Sequence, residues 1–203
     1  MISDYTTLIT QIINWIDHDE IRTTIAQDLI ELGERRCYRE MRNHHMEFTL
    51  SATMTGGVVT LPAAFIEFRS VRITGSPDKP LEIMSSEEMY RRYPTRSSDS
   101  KPSFAAIEGQ NLIFGPFPDS NYTVKGIYYR RLTALSDSNT TNTFTNEVSD
   151  ALFFASLAES EPFLKNDPRV SLWEAKYEKV AREIKKEEDK RLKKGSPRRM
   201  REA

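Results

Sequence analysis

Apolar residues near the start of the chain recur at helical spacing. Leu8, Ile9, Ile12, Ile13 and Ile16 form one stripe, with Ser3 and Asp4 offering N-cap chemistry just before it. Asp17, His18 and Asp19 interrupt the stripe, and Asp19 is the expected cap of a second helix. Its face is Ile21, Ile25, Leu29 and Leu32, continuing through Tyr38 and Met41. After Asn43 the period changes from 3.6 to 2. Met46, Phe48 and Leu50 alternate with polar residues, and Val59 and Leu61 do so across Gly56-Gly57. Alternating runs follow at 68–73, 81–83, 104–107, 112–114 and 122–129, separated by Gly-, Pro- and Asn-rich turns such as Glu108-Gly109-Gln110-Asn111. Ser85, Ser86 and Glu88 predict a capped short helix ending before Pro94.

Residues 133–146 read as a polar linker. Helical spacing returns at Val148, Ala151, Leu152 and Ala155, and again at Trp173, Tyr177, Val180 and Ile184 behind the helix-starting pair Asp167-Pro168. Glu178 with Arg182 and Glu187 with Arg191 stand at favourable i, i+4 spacing. The fold class expected is α+β: a helical bundle built from N- and C-terminal long helices, with an inserted antiparallel β lobe. The expected boundaries are 1–45 for the N-terminal helices, 46–132 for the β lobe with its short helix, 133–146 for the linker, 147–189 for the C-terminal helices and 190–203 for a basic tail.

Composition narrows the functional classes. The chain has 203 residues, enough for a core without disulfide or metal staples. Its 29 Lys+Arg against 30 Asp+Glu give a net charge of −1, which argues against a nucleic-acid-coating protein. A single cysteine, Cys37, excludes an intrachain disulfide scaffold. The apolar runs fall short of the roughly 20 residues of a membrane span, and the N-terminus has no basic residue ahead of its apolar ones, so neither a span nor a secretory signal is expected.

Candidate chemistry is sparse. His18, His44 and His45 lack metal-ligand spacing, because sequence neighbours such as His44 and His45 point in different directions in regular structure. Cys37 follows Arg35 and Arg36, which could lower its pKa, but a helical cysteine reads as inert. Phosphate-cradling glycine loops are absent. Glu147, Asp150, Glu159 and Glu161 are the acids from which a glycosidase-type pair would have to come, and a solvated helix face accounts for them as well. No catalytic, cofactor-binding or metal residues are assigned, and no cofactor is expected. One charge feature stands apart. Lys190, Arg191, Lys193, Lys194, Arg198, Arg199 and Arg201 fall in an acid-free run, suited to an acidic protein groove or to DNA phosphates.

The layout resembles the head-to-tail adaptor, or connector, proteins of tailed double-stranded DNA bacteriophages. The likeness runs in order over about residues 4–185. It is carried by DYTTLITQIINWIDHDEIRTTIAQDLIELGERRCYREMR, the Leu61-Pro62-Ala63-Ala64-Phe65 step, the Gly109 hairpin, Tyr128-Tyr129-Arg130 and Leu135-Ser136, and the 155–159 helix with downstream Trp173 and Tyr177. Phe144 stands nearest to the place where family members often carry a Trp. The resemblance implies a structural virion protein rather than an enzyme. It implies a closed ring of about twelve identical subunits at the head–tail junction, assembled in the host cytoplasm. The implied partners are the portal protein, a tail or nozzle protein and, transiently, the double-stranded DNA passing through the ring; no membrane is involved. On this basis the seven basic residues are expected to dock on the portal. The hairpin tips at Gly56, Gly57, Gly109 and Gln110 are the candidate tail-side contacts. A packaging accessory protein that binds nucleic acid through the basic tail is the alternative. A virion-borne hydrolase using Glu159 or Glu161 is a third class.

Overall fold

A computed structural model describes residues 2–18, 21–95, 100–164 and 167–193, with the backbone alone at Lys193. The chain divides into two compact units, one formed by Met1–Met46 with Leu132–Ala203 and the other by Glu47–Arg131.

The first unit is helical. Helix α1 (Tyr5–Ile16) starts at a reciprocal cap: Asp4 Oδ1 accepts the Thr7 N–H at 2.8 Å while Thr7 Oγ1 accepts that of Asp4 at 3.1 Å. Its stripe of Leu8, Ile12 and Ile16 is fully buried. Helix α2 (Thr23–Glu40) begins later than the sequence suggests. Arg22 occupies the N-cap without a side-chain cap, and Asp19, the expected cap, lies outside the described residues. Helix α2 packs on a later helix, α5 (Ser149–Ala158), and the crossing is close at one point. A Cβ on Gly33 would sit 2.5 Å from Ser156 Oγ and 2.9 Å from the Ser156 nitrogen, so only glycine fits. From Ala151 onward every residue of α5 except Phe154 is buried, which makes this helix the centre of the unit.

The segment 133–146 is more ordered than a polar linker. Ser136 and Asn139 close a small bridged turn. Asn142 then caps helix α4 (Thr143–Glu147), numbered after α3 (Ser86–Arg92) of the second unit; the Asn142 Oδ1 accepts the N–H groups of Phe144 and Thr145. Buried Glu34 accepts the Leu135 N–H at 3.2 Å and the Asn142 side-chain amide at 2.7 Å, tying this segment to α2. After the short α6 (Glu161–Leu164), helix α7 (Pro168–Lys193) anchors through Trp173 and Tyr177, which are buried.

Among its described residues the second unit carries eight strands, arranged as two four-stranded sheets, and one helix. They are β1 (Glu47–Thr53), β2 (Val58–Thr60), β3 (Phe65–Ile73), β4 (Lys79–Pro80), β5 (Glu82–Met84), β6 (Phe104–Glu108), β7 (Asn111–Gly115) and β8 (Thr123–Arg130), with α3 (Ser86–Arg92) between β5 and β6. The sheet orders are β1-β8-β3-β4 and β2-β7-β6-β5. One shared core contains Leu50, Val71 and Val124 from the first sheet and Val59, Leu112 and Phe114 from the second, so the two sheets pack as a sandwich. The lobe is not wholly antiparallel. Strands β5 and β6 run parallel, because α3, capped by Ser85 as its sequence predicts, serves as the crossover between them.

Candidate functional site

The last turns of α7 bear the described part of the basic group. Arg191 turns back along its own helix and grips Glu188, with Nη2 to Oε1 at 2.6 Å and Nε to both carboxylate oxygens at 3.2 Å. The i, i+4 partner suggested by spacing, Glu187, is passed over for the i, i+3 one. Similarly, Arg182 Nε donates to the Glu178 backbone carbonyl at 3.1 Å rather than to its carboxylate. Glu188 also accepts the His44 backbone N–H and lies 3.2 Å from His44 Nδ1. Burial alone would raise its pKa, but Arg191 and His44 outweigh burial and hold the carboxyl below its ordinary range. Lys190 is exposed. The side chain of Lys193 and all of Lys194, Arg198, Arg199 and Arg201 lie outside the described residues.

Beside Glu188 a pocket of about 210 Å3 opens among three stretches of the helical unit: Asn43, His44 and His45 after α2, Glu147 and Val148 at the α4–α5 junction, and Ile184, Glu187, Glu188 and Arg191 on α7. His44 and His45 do not diverge as sequence neighbours in regular structure would. A 3-10 turn over His44–Met46 brings their rings to 3.8 Å between centroids. Asn43 is 3 % exposed, and neither atom of its carboxamide has a hydrogen-bond partner among the described residues. An unpaired buried amide of this kind costs about 1–3 kcal/mol. No group of three His, Cys, Asp or Glu among the described residues is placed to hold a metal ion.

Among the remaining sequence candidates, Glu159 and Cys37 are built into the fold. Arg36 donates to both oxygens of Glu174, approaches Glu159 at 3.6 Å and Glu40 at 3.1 Å, and stacks over Tyr177 at 4.3 Å. Glu159, one of the acids weighed for catalysis, is therefore engaged in a helix–helix ion-pair network. Cys37 is buried, and burial, reinforced by Glu40 and Glu34, pushes its thiol up despite the neighbouring arginine. Glu147 and Asp150 are exposed on α4 and α5, and Glu161 is exposed on α6.

The β-turn candidates separate into two places. Gly56 and Gly57, with φ of 58° and 75°, make the turn from β1 into β2; Gly56 is exposed, whereas Gly57 lies beneath the Phe117 ring, 2.5 Å from where a Cβ would stand. Gly109, with φ of 61°, and Gln110 are exposed between β6 and β7. Val58 pairs with Ile113 and Thr60 with Asn111, so the two turns lie at opposite ends of β2.

Sequence reasoning passed over both Glu188 and Asn43. Glu188 falls four residues after Ile184 on the buried stripe of α7, where a polar residue breaks the pattern. That break was the available clue to a buried carboxylate with a distant partner.

Fold and surfaces define an α+β protein of two units, a helical one discontinuous in sequence and a β sandwich between its halves, with polar, charge-bearing surfaces at the end of α7. A family model for SU10 adaptor proteins matches residues 3–201, and the chain belongs to that family. It is accordingly a phage adaptor, a structural component of the virion. No curated protein sequence matches the chain. No helix among the described residues is long and apolar enough to cross a membrane.

Proposed function

We propose that the protein forms a ring of about twelve copies at the head–tail junction, joining portal to tail and surrounding the DNA exit channel. The reading is carried by the adaptor-family match, which runs through both units from residue 3 to residue 201. In this reading the group Lys190, Arg191, Lys193, Lys194, Arg198, Arg199 and Arg201 meets the portal, and the exposed turns at Gly56 and at Gly109–Gln110 meet the tail side. Arg191 contributes from within its ion pair with Glu188, so the portal contact rests on the six others. The ring acts by holding partners and guiding DNA, and non-enzymatic function follows from that role.

Size-exclusion chromatography with light scattering tests this, with the chain alone and mixed with the portal protein from the same genome. Co-elution at equal subunit ratio is the expected result. Removal of residues 190–203 should weaken that complex, and undiminished binding would overturn the docking role of the basic group. A stable monomer that ignores the portal, yet binds DNA with steep loss between low and moderate salt, would favour a packaging accessory protein instead.

A further inference from the structure

We propose that the pocket beside Glu188 binds an arginine side chain presented by a second copy of the chain. The charges around it select a cation. Glu188 is satisfied by Arg191 and His44, and Arg191 is in turn neutralised by Glu188. Glu147 and Glu187 make no ion pair among the described residues, which leaves two uncompensated carboxylates at the rim. An anionic ligand would meet both.

The other lining groups favour arginine over a simple cation. Val148 and Ile184 offer apolar walls for an aliphatic stem. The imidazole rings of His44 and His45, tilted by 38° with centroids 3.8 Å apart, offer a ring face on which a guanidinium can lie. A guanidinium carries five donors in a fixed fork, enough to reach a rim carboxylate and the carbonyl oxygen of Asn43 together. Asn43 is the second, independent sign of a ligand: a polar side chain 3 % exposed, lining the pocket, with both amide atoms unpaired.

The choice of a second copy rests on the ring reading above; the choice of arginine does not. Contacts around a ring are heterologous, so each subunit must present two different complementary surfaces. Arg22 is exposed and has no ion pair among the described residues. It immediately precedes α2, while Asn43 follows that helix, so 18 helical residues, about 27 Å, separate this arginine from the pocket of its own subunit. That spacing suits a contact made head to tail between copies.

The test has two arms on the full chain. In the first, N-acetyl-arginine amide is titrated while the imidazole resonances of His44 and His45 are followed by NMR, with N-acetyl-citrulline amide as the uncharged isostere. Saturable shifts with arginine, absent with citrulline and lost in Glu147→Gln/Glu187→Gln, are expected. Both glutamates are exposed, so that variant keeps its fold. No shifts, or equal shifts with citrulline, would overturn the pocket. In the second arm, light scattering follows ring assembly with the portal protein. Glu147→Gln/Glu187→Gln and, separately, Arg22→Gln should each raise the concentration needed for assembly by about tenfold, the equivalent of 1.4 kcal/mol. Arginine binding without any change in assembly would assign the pocket to a different protein partner and overturn the second-copy part. Failure of the wild-type chain to form any ring would remove the ring reading and the second-copy part together, while the first arm still decides the arginine site.

Discussion

Glu34 holds more of the helical unit together than its single charge suggests. Its carboxylate accepts from Leu135 and Asn142, residues that stand 101 and 108 positions away. Removing it in Glu34→Ala leaves two donors without their acceptor and should lower stability by about 1–3 kcal/mol in urea unfolding. Burial, the largest influence, raises the pKa of Glu34 above its ordinary value, with the two hydrogen bonds opposing it. The folded chain therefore keeps this proton to a higher pH than the unfolded one. The stability the proton confers is full below the unfolded pKa and is lost as pH rises through the folded value. Urea midpoints taken between about pH 4 and 7 should fall for the native chain relative to Glu34→Gln, which has no proton to lose. At Asn43 the opposite substitution logic applies. Asn43→Leu replaces an unpaired amide by an apolar group of similar size, and its melting temperature should equal or exceed that of the native chain while arginine binding weakens. Neither role was legible beforehand, because a buried acid or amide is defined by neighbours a hundred or more residues distant. The caps at Asp4 and Ser85 were legible, since each partner lies three residues on.

Helices α2 and α5 cross where Gly33 meets Ser156, and the crossing depends on the missing side chain. Alanine would ordinarily improve a helix interior by about 1 kcal/mol. Here the added methyl falls 2.9 Å from the Ser156 backbone nitrogen, which cannot rotate away. Gly33→Ala should therefore destabilise the chain by roughly 1–3 kcal/mol, measured by thermal or chemical unfolding. A glycine inside an otherwise regular helical stripe was a readable sign of such an approach. Other elements were read through periodicity: the strands from alternation and α7 from the Trp173, Tyr177 and Ile184 spacing. The 133–146 segment was not, because its composition is that of a loop. Its order comes from Asn142 capping α4 and from Glu34 across the fold. The parallel pairing of β5 with β6 was equally hidden, since alternation marks a strand without giving its direction.

In the whole chain, the β unit begins and ends on paired neighbours. Glu47 stands opposite Tyr129 in the β1–β8 ladder, so the two points at which residues 47–131 leave the helical unit are adjacent strands. A chain in which a short Gly-Ser linker replaces 47–131 should retain a cooperative helical fold by circular dichroism and NMR. The isolated segment 47–131 should fold as a sandwich. Loss of cooperativity in both pieces would mean that neither unit possesses its own core.

The same discontinuity sets an order of events during synthesis. Every strand of the sandwich precedes α5 in the chain, so residues 47–131 have all left the ribosome before the partner of α2 emerges. The N-terminal helices, with Gly33 and the apolar stripe still uncovered, must wait for Ser156 and its neighbours. Pairing β1 with β8 early shortens the effective loop between the two halves of the helical unit from 85 residues to a stem one strand pair wide. The β unit is thus placed to serve as a folding clamp: once closed, it holds together the two segments that must later meet, and the helical core cannot be completed until α5 has emerged.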